Sequence, residues 1–431
     1  MRCDDHYAPA SVVTHSHDLG VIDPAERVGD ASPAGRRHAA VALAAVLLPI
    51  LAATIAGLVL LWPSDAKPST VLSFAAPGVT FPHGKVTALT KRPCPPGGQG
   101  DGNPAPATPA GKVPVCATAT VTISGSPGAG QVVHVEASPE VSEAGIGSGV
   151  ILTKTPKAAG SPVTYSIYDL ERGRPLVVLA TLFTLVTIAV ARLRGLLALV
   201  GLGVAAVVVV GFMLPALVAG KSPLWVGLTA AAAIIFVVLY LAHGFSLRTT
   251  TALLGTFGGL GLTALIGVIA VAAAHLNGIS NDDNQALAQA AGHIDPRGLL
   301  TCGIILAGLG VLNDVTITQA SAIWELREAA PGMTPRRLYR TVMRIGRDHI
   351  ASTIYTIVFA YAGAALPVLL LIDLYGQPLG NVLTTSNIAE ELVRTMASAI
   401  GLVLAVPLTT ALAVAVATVG QRNRGNHRAA T

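Results

Sequence analysis

Long apolar runs, repeated along most of the chain, constrain this sequence more than any other feature. Eight runs occur, at 39–62, 175–191, 196–219, 223–243, 250–275, 298–323, 350–374 and 395–420. An α-helix needs about 20 apolar residues to cross the roughly 30 Å hydrocarbon core of a bilayer. Only 12% of the residues are charged, against about 25% in soluble proteins. The sequence therefore predicts an all-α polytopic membrane protein with about eight transmembrane helices, surrounded by a lipid bilayer.

The basic residues between these runs predict how the helices are oriented. Cytoplasmic loops of membrane proteins are rich in Lys and Arg. If both termini are cytoplasmic, most arginines fall inside: Arg36, Arg37, Arg192, Arg194, Arg248, Arg327, Arg336, Arg337, Arg340, Arg344, Arg347, Arg422, Arg424 and Arg428. The short outer loops then hold few basic residues and several acids, including Asp282, Asp295, Glu390 and Glu391. We therefore predict a multi-pass protein with cytoplasmic N- and C-termini, and we interpret the net charge of +5 as a topology signal, with no nucleic-acid partner.

Changes in composition divide the chain into five parts. A disordered cytoplasmic tail, residues 1–38, precedes transmembrane helix 1 at 39–62, which we interpret as an uncleaved signal anchor because its apolar core is longer than that of a signal peptide. An extracytoplasmic β-rich domain occupies 63–174. A seven-helix membrane bundle follows at 175–420, and a basic cytoplasmic tail at 421–431 ends the chain.

The β-rich domain shows β-branched alternation in five segments separated by Gly and Pro clusters, which predicts a small barrel or sandwich. Cys94 and Cys116 bracket a Pro- and Gly-rich loop. In an oxidising compartment a disulfide between them would close that loop and lower the entropy of the unfolded chain, so we predict one. The domain carries no metal-ligand cluster and no pairing of a nucleophile with a base. It is a candidate surface for a protein partner.

The sixth apolar run contains polar groups that hydrocarbon disfavours, namely Asn313, Asp314, Thr318 and Gln319. At 100° per residue, one stripe of the predicted helix carries small residues in its first half and polar residues in its second half. Its members are Gly303, Ala307, Gly310, Asp314, Thr318, Ser321 and Glu325. Small residues let another helix approach closely, and an unpaired carboxylate near mid-membrane costs at least about 2.5–3.5 kcal/mol. Asp314 is therefore either a proton or cation site on a transport path, or a structural hydrogen-bonding group.

A basic amphipathic segment precedes the seventh run. Thr334 can cap a helix with Pro335 at its first position, and we expect this helix to lie at the cytoplasmic surface before the chain turns into the membrane. Arg347, Asp348 and His349 then stand at the beginning of a span bearing Thr353. We predict that Arg347, Asp348 and Thr353 meet the polar stripe of the sixth run.

Two other segments resemble functional motifs, but neither indicates a functional site. "GTFGGLG", residues 255–261, follows no strand and is followed by no Lys-Ser/Thr pair, so its glycines favour close helix packing over phosphate binding. The loop "NGISNDDNQALAQAAGHIDPRG" predicts a short surface helix beginning near Asp282 or Asp283. The apolar runs lack the nucleophile pairs and the His-Glu-x-x-His motif of intramembrane enzymes. We therefore predict no enzymatic activity, no metal site and no cofactor.

Two long motifs carry a family resemblance: "LTCGIILAGLGVLNDVTITQASAIWELRE" and "RIGRDHIASTIYTIVFAYAGAALPVLLL". With "YSIYDLERGRPL" and "IDPRGLL", they make the chain resemble the YibE/F-like membrane proteins of bacteria from Tyr165 to the last run. The resemblance implies a bacterial inner-membrane protein described as a permease, without an established substrate. It matches the family's acidic residue to Asp314 and its Gly-Arg-Asp to Gly346, Arg347 and Asp348. Where the family commonly has Met, this chain has Asn313.

Two functions compete on this evidence. The first is a membrane transporter or permease for an unknown solute or ion, responsive to protons or cations through Asp314. The alternative is a noncatalytic assembly or signalling scaffold whose outer β domain binds a protein partner.

Overall fold

The computed structural model describes residues 33–63, 78–93, 115–125, 128–156, 163–376 and 378–428. It is mostly helical, at 73%, and the chain forms two compact units. One comprises residues 64–203 and contains a β-sheet. The other comprises residues 1–63 and 204–431 and contains the packed helices. The predicted tail before residue 33 and the proposed Cys94–Cys116 disulfide lie outside what is described.

The sheet unit contains five antiparallel strands in the order β3-β2-β1-β4-β5. Their bounds are β1 His83–Pro93, β2 Val115–Ile123, β3 Val132–Ala137, β4 Gly149–Thr155 and β5 Thr164–Leu170. The edge strands β3 and β5 also contact each other, and the Tyr165 hydroxyl donates to Gln131 Oε1 at 3.2 Å. The curled single sheet is thus nearer to the predicted barrel than to a sandwich.

The core of this sheet is aliphatic. Alternating positions of β3 bury Val133 and Val135, as expected for strands with one covered face. They pack with residues of the other strands, including Val121 and Leu152, which are fully buried. A short helix, α2 Pro139–Ala144, adds Val141 to this core. Alternation in the sequence therefore predicted the five strands.

Arg172 joins the end of β5 to α2. Its guanidinium donates to Asp169 and, at 2.8 Å, to Glu140. The hydrogen bond from Arg172, followed by one from the Leu170 backbone N–H, lowers the pKa of Asp169 from its ordinary value of 3.8. Arg172 and its two acidic partners are all solvent-exposed. These ion pairs therefore order the surface more than they stabilise the fold.

The next helical stretch contains two of the predicted membrane runs. It consists of α3 Gly173–Val208, a π-helical turn at Val209–Met213 and α4 Leu214–Val218. Arg192 interrupts α3 with φ 52° and ψ −134°, so that two helices meet at this residue. A positive φ is unfavourable for a residue with a side chain, and the predicted loop between the two runs is reduced to this break.

The remaining helices make up the second unit together with α4. They are α1 Pro33–Leu60, α5 Pro223–His243, α6 Leu247–Ala273, α7 Asp282–Ala290, α8 Pro296–Ala329, α9 Pro335–Ala364, α10 Leu366–Leu374, α11 Leu379–Leu383 and α12 Ser386–Arg428. Side-chain caps begin several of them, because Ser246, Asn281, Asp295 and Thr334 accept from backbone N–H groups of the first turn. The predicted surface helix near Asp282 and the Thr334 cap are both confirmed.

Helices α6, α8 and α12 form the centre of this unit through close contacts of small residues. A side chain at Gly259 would collide with Leu312 and Ala405, and one at Gly401 would overlap Thr263. Gly255 faces Thr409 in the same way. The interpretation of "GTFGGLG" as a packing segment is confirmed for three of its four glycines, since Gly261 has open space around it.

Helix α9 corrects the expectation of a surface helix that turns into a span. It runs without interruption from Pro335 to Ala364. Its apolar residues Leu338 and Val342 are fully buried against α8 and α12, so neighbouring helices, and not lipid headgroups, cover this face. The bend of 63° lies between α9 and α10, about four turns after residue 350, where the expected span begins.

Among the described residues, six helices are long and apolar enough to cross a membrane, and the bent pair α9 and α10 would make a seventh. The predicted count of eight is not confirmed, because runs 175–191 and 196–219 fall within one helical stretch of 46 residues, Gly173–Val218. The fold class is therefore a helical membrane protein with six or seven candidate spans and a small β region.

Candidate functional site

Helix α8 carries four of the predicted site residues. Asp295 caps it by accepting from the Arg297 N–H at 3.1 Å, and Pro296 occupies its first turn. The helix ends at Ala329, before Pro331 and Gly332. Asp314 therefore lies about halfway along a 34-residue helix, where water is least accessible if the helix crosses a bilayer.

Asp314 meets a histidine of α9. The distance from Asp314 Oδ2 to His349 Nε2 is 3.3 Å, although the two groups are not aligned as a hydrogen bond. The Asp314 side chain is 67% exposed within this chain and that of His349 28%. The contact is therefore close but is not a hydrogen bond, and it is covered on the imidazole side and open on the carboxylate side.

Gln319 lies five residues further along α8 and is fully buried. The Thr410 hydroxyl of α12 lies 3.0 Å from Gln319 Oε1 and 2.7 Å from the Val406 carbonyl of its own helix. Gln319 Nε2 has no partner among the described residues. Whichever way the amide is turned, Thr410 reaches one of its two polar atoms and the other stays unpaired.

Gly346 of α9 packs directly on this amide. A Cβ built at Gly346 would lie 3.0 Å from Gln319 Oε1 and Nε2 and 2.8 Å from Val406. The absence of a side chain therefore lets α9 approach α8 and α12 closely. Because His349 follows Gly346 by three residues on the same helix face, the close approach also brings its imidazole to Asp314.

The other predicted polar residues of α8 and α9 bond mainly within their own helices. Thr318 donates to the Asp314 carbonyl at 2.7 Å and Thr353 to the His349 carbonyl at 2.8 Å. The Oδ1 atom of Asn313 is buried without a partner in the described part of the chain. Thr318 and Thr353 therefore lie one turn beyond Asp314 and His349 on their own helices, and their hydroxyls do not contact the Asp314 carboxylate or the His349 imidazole.

Arg347 and Asp348 are not brought into an ion pair with α8. Both side chains are exposed, and neither forms an ion pair with any residue that the structure describes. The residue that meets Asp314 is their neighbour His349. The sequence signal for it was its spacing of three from Gly346, which places it on the helix face that packs.

The predicted stripe of α8 is mostly on the open side of the helix. Gly310 and Glu325 are exposed, and a Cβ at Gly310 would meet open space. The face that packs instead carries Ile305, Leu312 and Ala320. The expectation that the small residues of this stripe mark the contact face is wrong for Gly310. The glycine that lies against Thr263 is Gly308, which the stripe did not include.

The packed face of α8 buries hydroxyl groups that were not among the predicted site residues. Thr256 of α6 and Thr316 of α8 lie 2.7 Å apart through their hydroxyls, and both are fully buried. Thr263 and Thr409 are also fully buried in this centre. Their signal in the sequence is a threonine recurring within apolar runs. Over the described ranges, no group of three or more His, Cys, Asp or Glu residues is placed to hold a metal ion.

Comparison with known proteins identifies one family. The model of the family described as YibE/F-like protein matches residues 179–419, which is more than half of the chain. No curated protein and no solved structure matches the sequence. The match covers α8, α9 and residues 386–419 of α12, and so includes every residue of the Asp314 and Gln319 contacts.

Proposed function

The chain belongs to the YibE/F-like family, and on that premise we propose that it is a permease of the bacterial plasma membrane for a small solute or ion. The observation that carries this proposal is the 3.3 Å pair between Asp314 and His349. A carboxylate and an imidazole side by side form a group that can accept or release a proton, since histidine changes charge near neutral pH.

The position of the pair supports a role in transport. Ionisable side chains inside membrane segments are expensive and commonly belong to ion or proton pathways. The carboxylate is open on one side, so a solute, water or a neighbouring helix can reach it without disturbing the contact with His349. Gain or loss of a proton would then change the attraction between α8 and α9 at this point.

We propose an eight-span topology for the complete membrane region. The support is the break at Arg192, which divides a 46-residue apolar stretch that is about twice as long as one span requires. Together with the bent pair α9 and α10, this division gives eight. The distribution of arginines supports cytoplasmic termini and an extracytoplasmic sheet domain.

The test is flux of protons and alkali cations into liposomes containing the purified protein. We expect Asp314→Asn to abolish a flux that the wild-type protein supports, because the change removes the charge and keeps the shape. Glu328→Gln is the matched control, since Glu328 is an exposed acid at the end of the same helix, and it should retain the flux. Equal flux from wild type and Asp314→Asn, at matched folding and orientation, contradicts the proposal.

One observation favours the scaffold alternative. A carboxylate that is 67% exposed within its own chain must be covered by something other than lipid at mid-membrane, because hydrocarbon leaves it unsolvated. A second protein would provide such cover. On this hypothesis the protein tolerates Asp314→Asn in flux assays, and loss of residues 64–170 removes its partner.

A further inference from the structure

A pocket of about 90 Å³ lies where the first turns of α8 and α12 meet α7. Its volume is several times the roughly 10–15 Å³ that admits one water molecule. Leu287, Leu299 and Leu300 form apolar parts of the wall, whereas Asn284, Glu390 and Arg394 provide polar ones. The pocket can therefore hold a small molecule that has both carbon and polar atoms.

Glu390 presents a buried carboxylate to this pocket. The residue is only 4% exposed. Its Oε2 accepts a hydrogen bond from the Ser280 hydroxyl at 2.6 Å, but its Oε1 is buried with no partner among the described residues. A buried carboxylate is unfavourable without a cationic or hydrogen-bonding partner, so this oxygen is suited to an incoming positive group.

Arg394 supplies the opposite charge in the same pocket. It follows Glu390 by four residues on α12, a spacing at which Glu and Arg commonly pair. Yet no ion pair joins them, and Arg394 Nε is buried without a hydrogen-bond partner in the described structure. Its contact with Glu391 Oε2 is long, at 3.9 Å. One pocket thus holds a carboxylate oxygen and a guanidinium Nε that both lack a hydrogen-bond partner in the described structure.

We propose that this pocket binds a small zwitterion, a free amino acid with a short side chain. The ammonium group would lie at Glu390 Oε1 and the carboxylate at Arg394, while the leucines contact the carbon atoms. Each interaction would be a charge-assisted hydrogen bond, which is stronger than one between neutral groups. A ligand carrying both charges satisfies both residues at once, which neither a simple cation nor a simple anion can do.

The pocket is separate from the Asp314–His349 pair. Leu300 and Asp314 are 14 residues apart along α8, which corresponds to about 20 Å of helix. Binding at the pocket therefore goes beyond the proposed permease activity and does not depend on it. An amino acid should still bind to the Asp314→Asn protein.

The experiment measures equilibrium binding of L-alanine to the purified full-length protein in lipid nanodiscs. We expect saturable binding, with methylammonium and acetate competing only at much higher concentrations, because each satisfies one charge. Glu390→Gln should weaken L-alanine binding at least about tenfold, the order expected for loss of a hydrogen bond to a charged group. Glu328→Gln is the control, since Glu328 is an exposed acid at the far end of α8 and is not part of the pocket wall; its affinity should stay near wild type.

Three results would overturn the inference. The first is no saturable binding of L-alanine or glycine at millimolar concentration to the wild-type protein. The second is methylammonium binding as tightly as L-alanine, which identifies a cation site. The third is unchanged L-alanine affinity in both Glu390→Gln and Arg394→Gln. The ligand comparison uses wild-type protein alone, so it decides the matter even if a variant does not fold.

Discussion

The two units of this protein bury different chemistry. Among the described residues of the sheet unit, every buried residue is aliphatic or glycine, as in the packing of Val121 and Leu152. The helical unit buries hydroxyls, an amide and a carboxylate: Thr54, Thr229, Thr249, Thr251, Thr256, Thr263, Thr301, Thr316, Gln319, Glu390, Ser398, Thr409 and Thr410. The solvent explains the difference. Water drives aliphatic groups together in the sheet, whereas helices in lipid gain little from apolar contact and depend on close packing and polar contacts.

The largest expected effect concerns the aliphatic core. Leu152→Ala should destabilise the sheet by about 2–5 kcal/mol, because a fully buried leucine leaves a cavity that the strands fill only in part. Hydrogen exchange of the β4 amides in the full-length protein measures this loss. Val132→Ala, at a 53% exposed position of β3, is the control and should have little effect. Similar protection in both variants would mean that the sheet does not depend on this core.

A smaller effect is expected from the polar core of the helices. Thr410→Val keeps the side-chain shape and removes the only partner that the described structure gives to the Gln319 amide. We expect a loss of about 0.6 kcal/mol and at most about 1.7 kcal/mol, the average and the maximum measured for hydrogen bonds between membrane helices. Unfolding in mixed detergent micelles measures it. Thr418→Val is the control, because it loses only hydrogen bonds within α12. An equal loss of stability in this control would contradict a special contribution of the Thr410–Gln319 hydrogen bond.

The smallest effect belongs to the exposed pair at the end of the sheet. The folded-state pKa of Asp169 lies below its ordinary value of 3.8, chiefly because Arg172 donates to it. Its contribution to stability is thus complete above about pH 4 and is lost as the pH falls through the lowered folded pKa. Asp169→Asn should flatten the acid side of the stability profile of the sheet, whereas Glu143→Gln, an exposed acid on α2, should leave it unchanged. An acid profile that is the same in Asp169→Asn and wild type contradicts this assignment.

Sequence patterns predicted the sheet better than they predicted the helix contacts. A strand has two faces, so the alternation around Val133 and Val135 decides which one is buried. A helix in lipid has apolar residues on every side, and apolarity then says little about which side a neighbour covers. Gly308 is packed and Gly310 is open, although both are glycines of one run. Their difference is one of angle around α8, which depends on where α6 and α12 lie.

Adjacent charged residues show the same limit at the candidate sites. Glu390 is buried in the pocket wall, whereas its neighbour Glu391 is about one-third exposed. A single step along a helix turns a side chain by 100°, and only the tertiary structure fixes which of two neighbours faces inward. The same step separates Asp348, which is exposed, from His349, which meets Asp314.

The bare backbone of Gly346 has a consequence for how mutations in this protein combine. The helix α9 touches α8 at Gly346 on Gln319 and, less than one turn later, at His349 on Asp314. A rigid helix cannot be pushed outward at one of these points while it keeps its distance at the other. Lesions at Gly346 and Asp314 should therefore be epistatic, with a double mutant losing less than the sum of the two single losses. We expect genetic suppressors of a Gly346 lesion at Gln319 or Val406, because a smaller side chain there would make room beside residue 346.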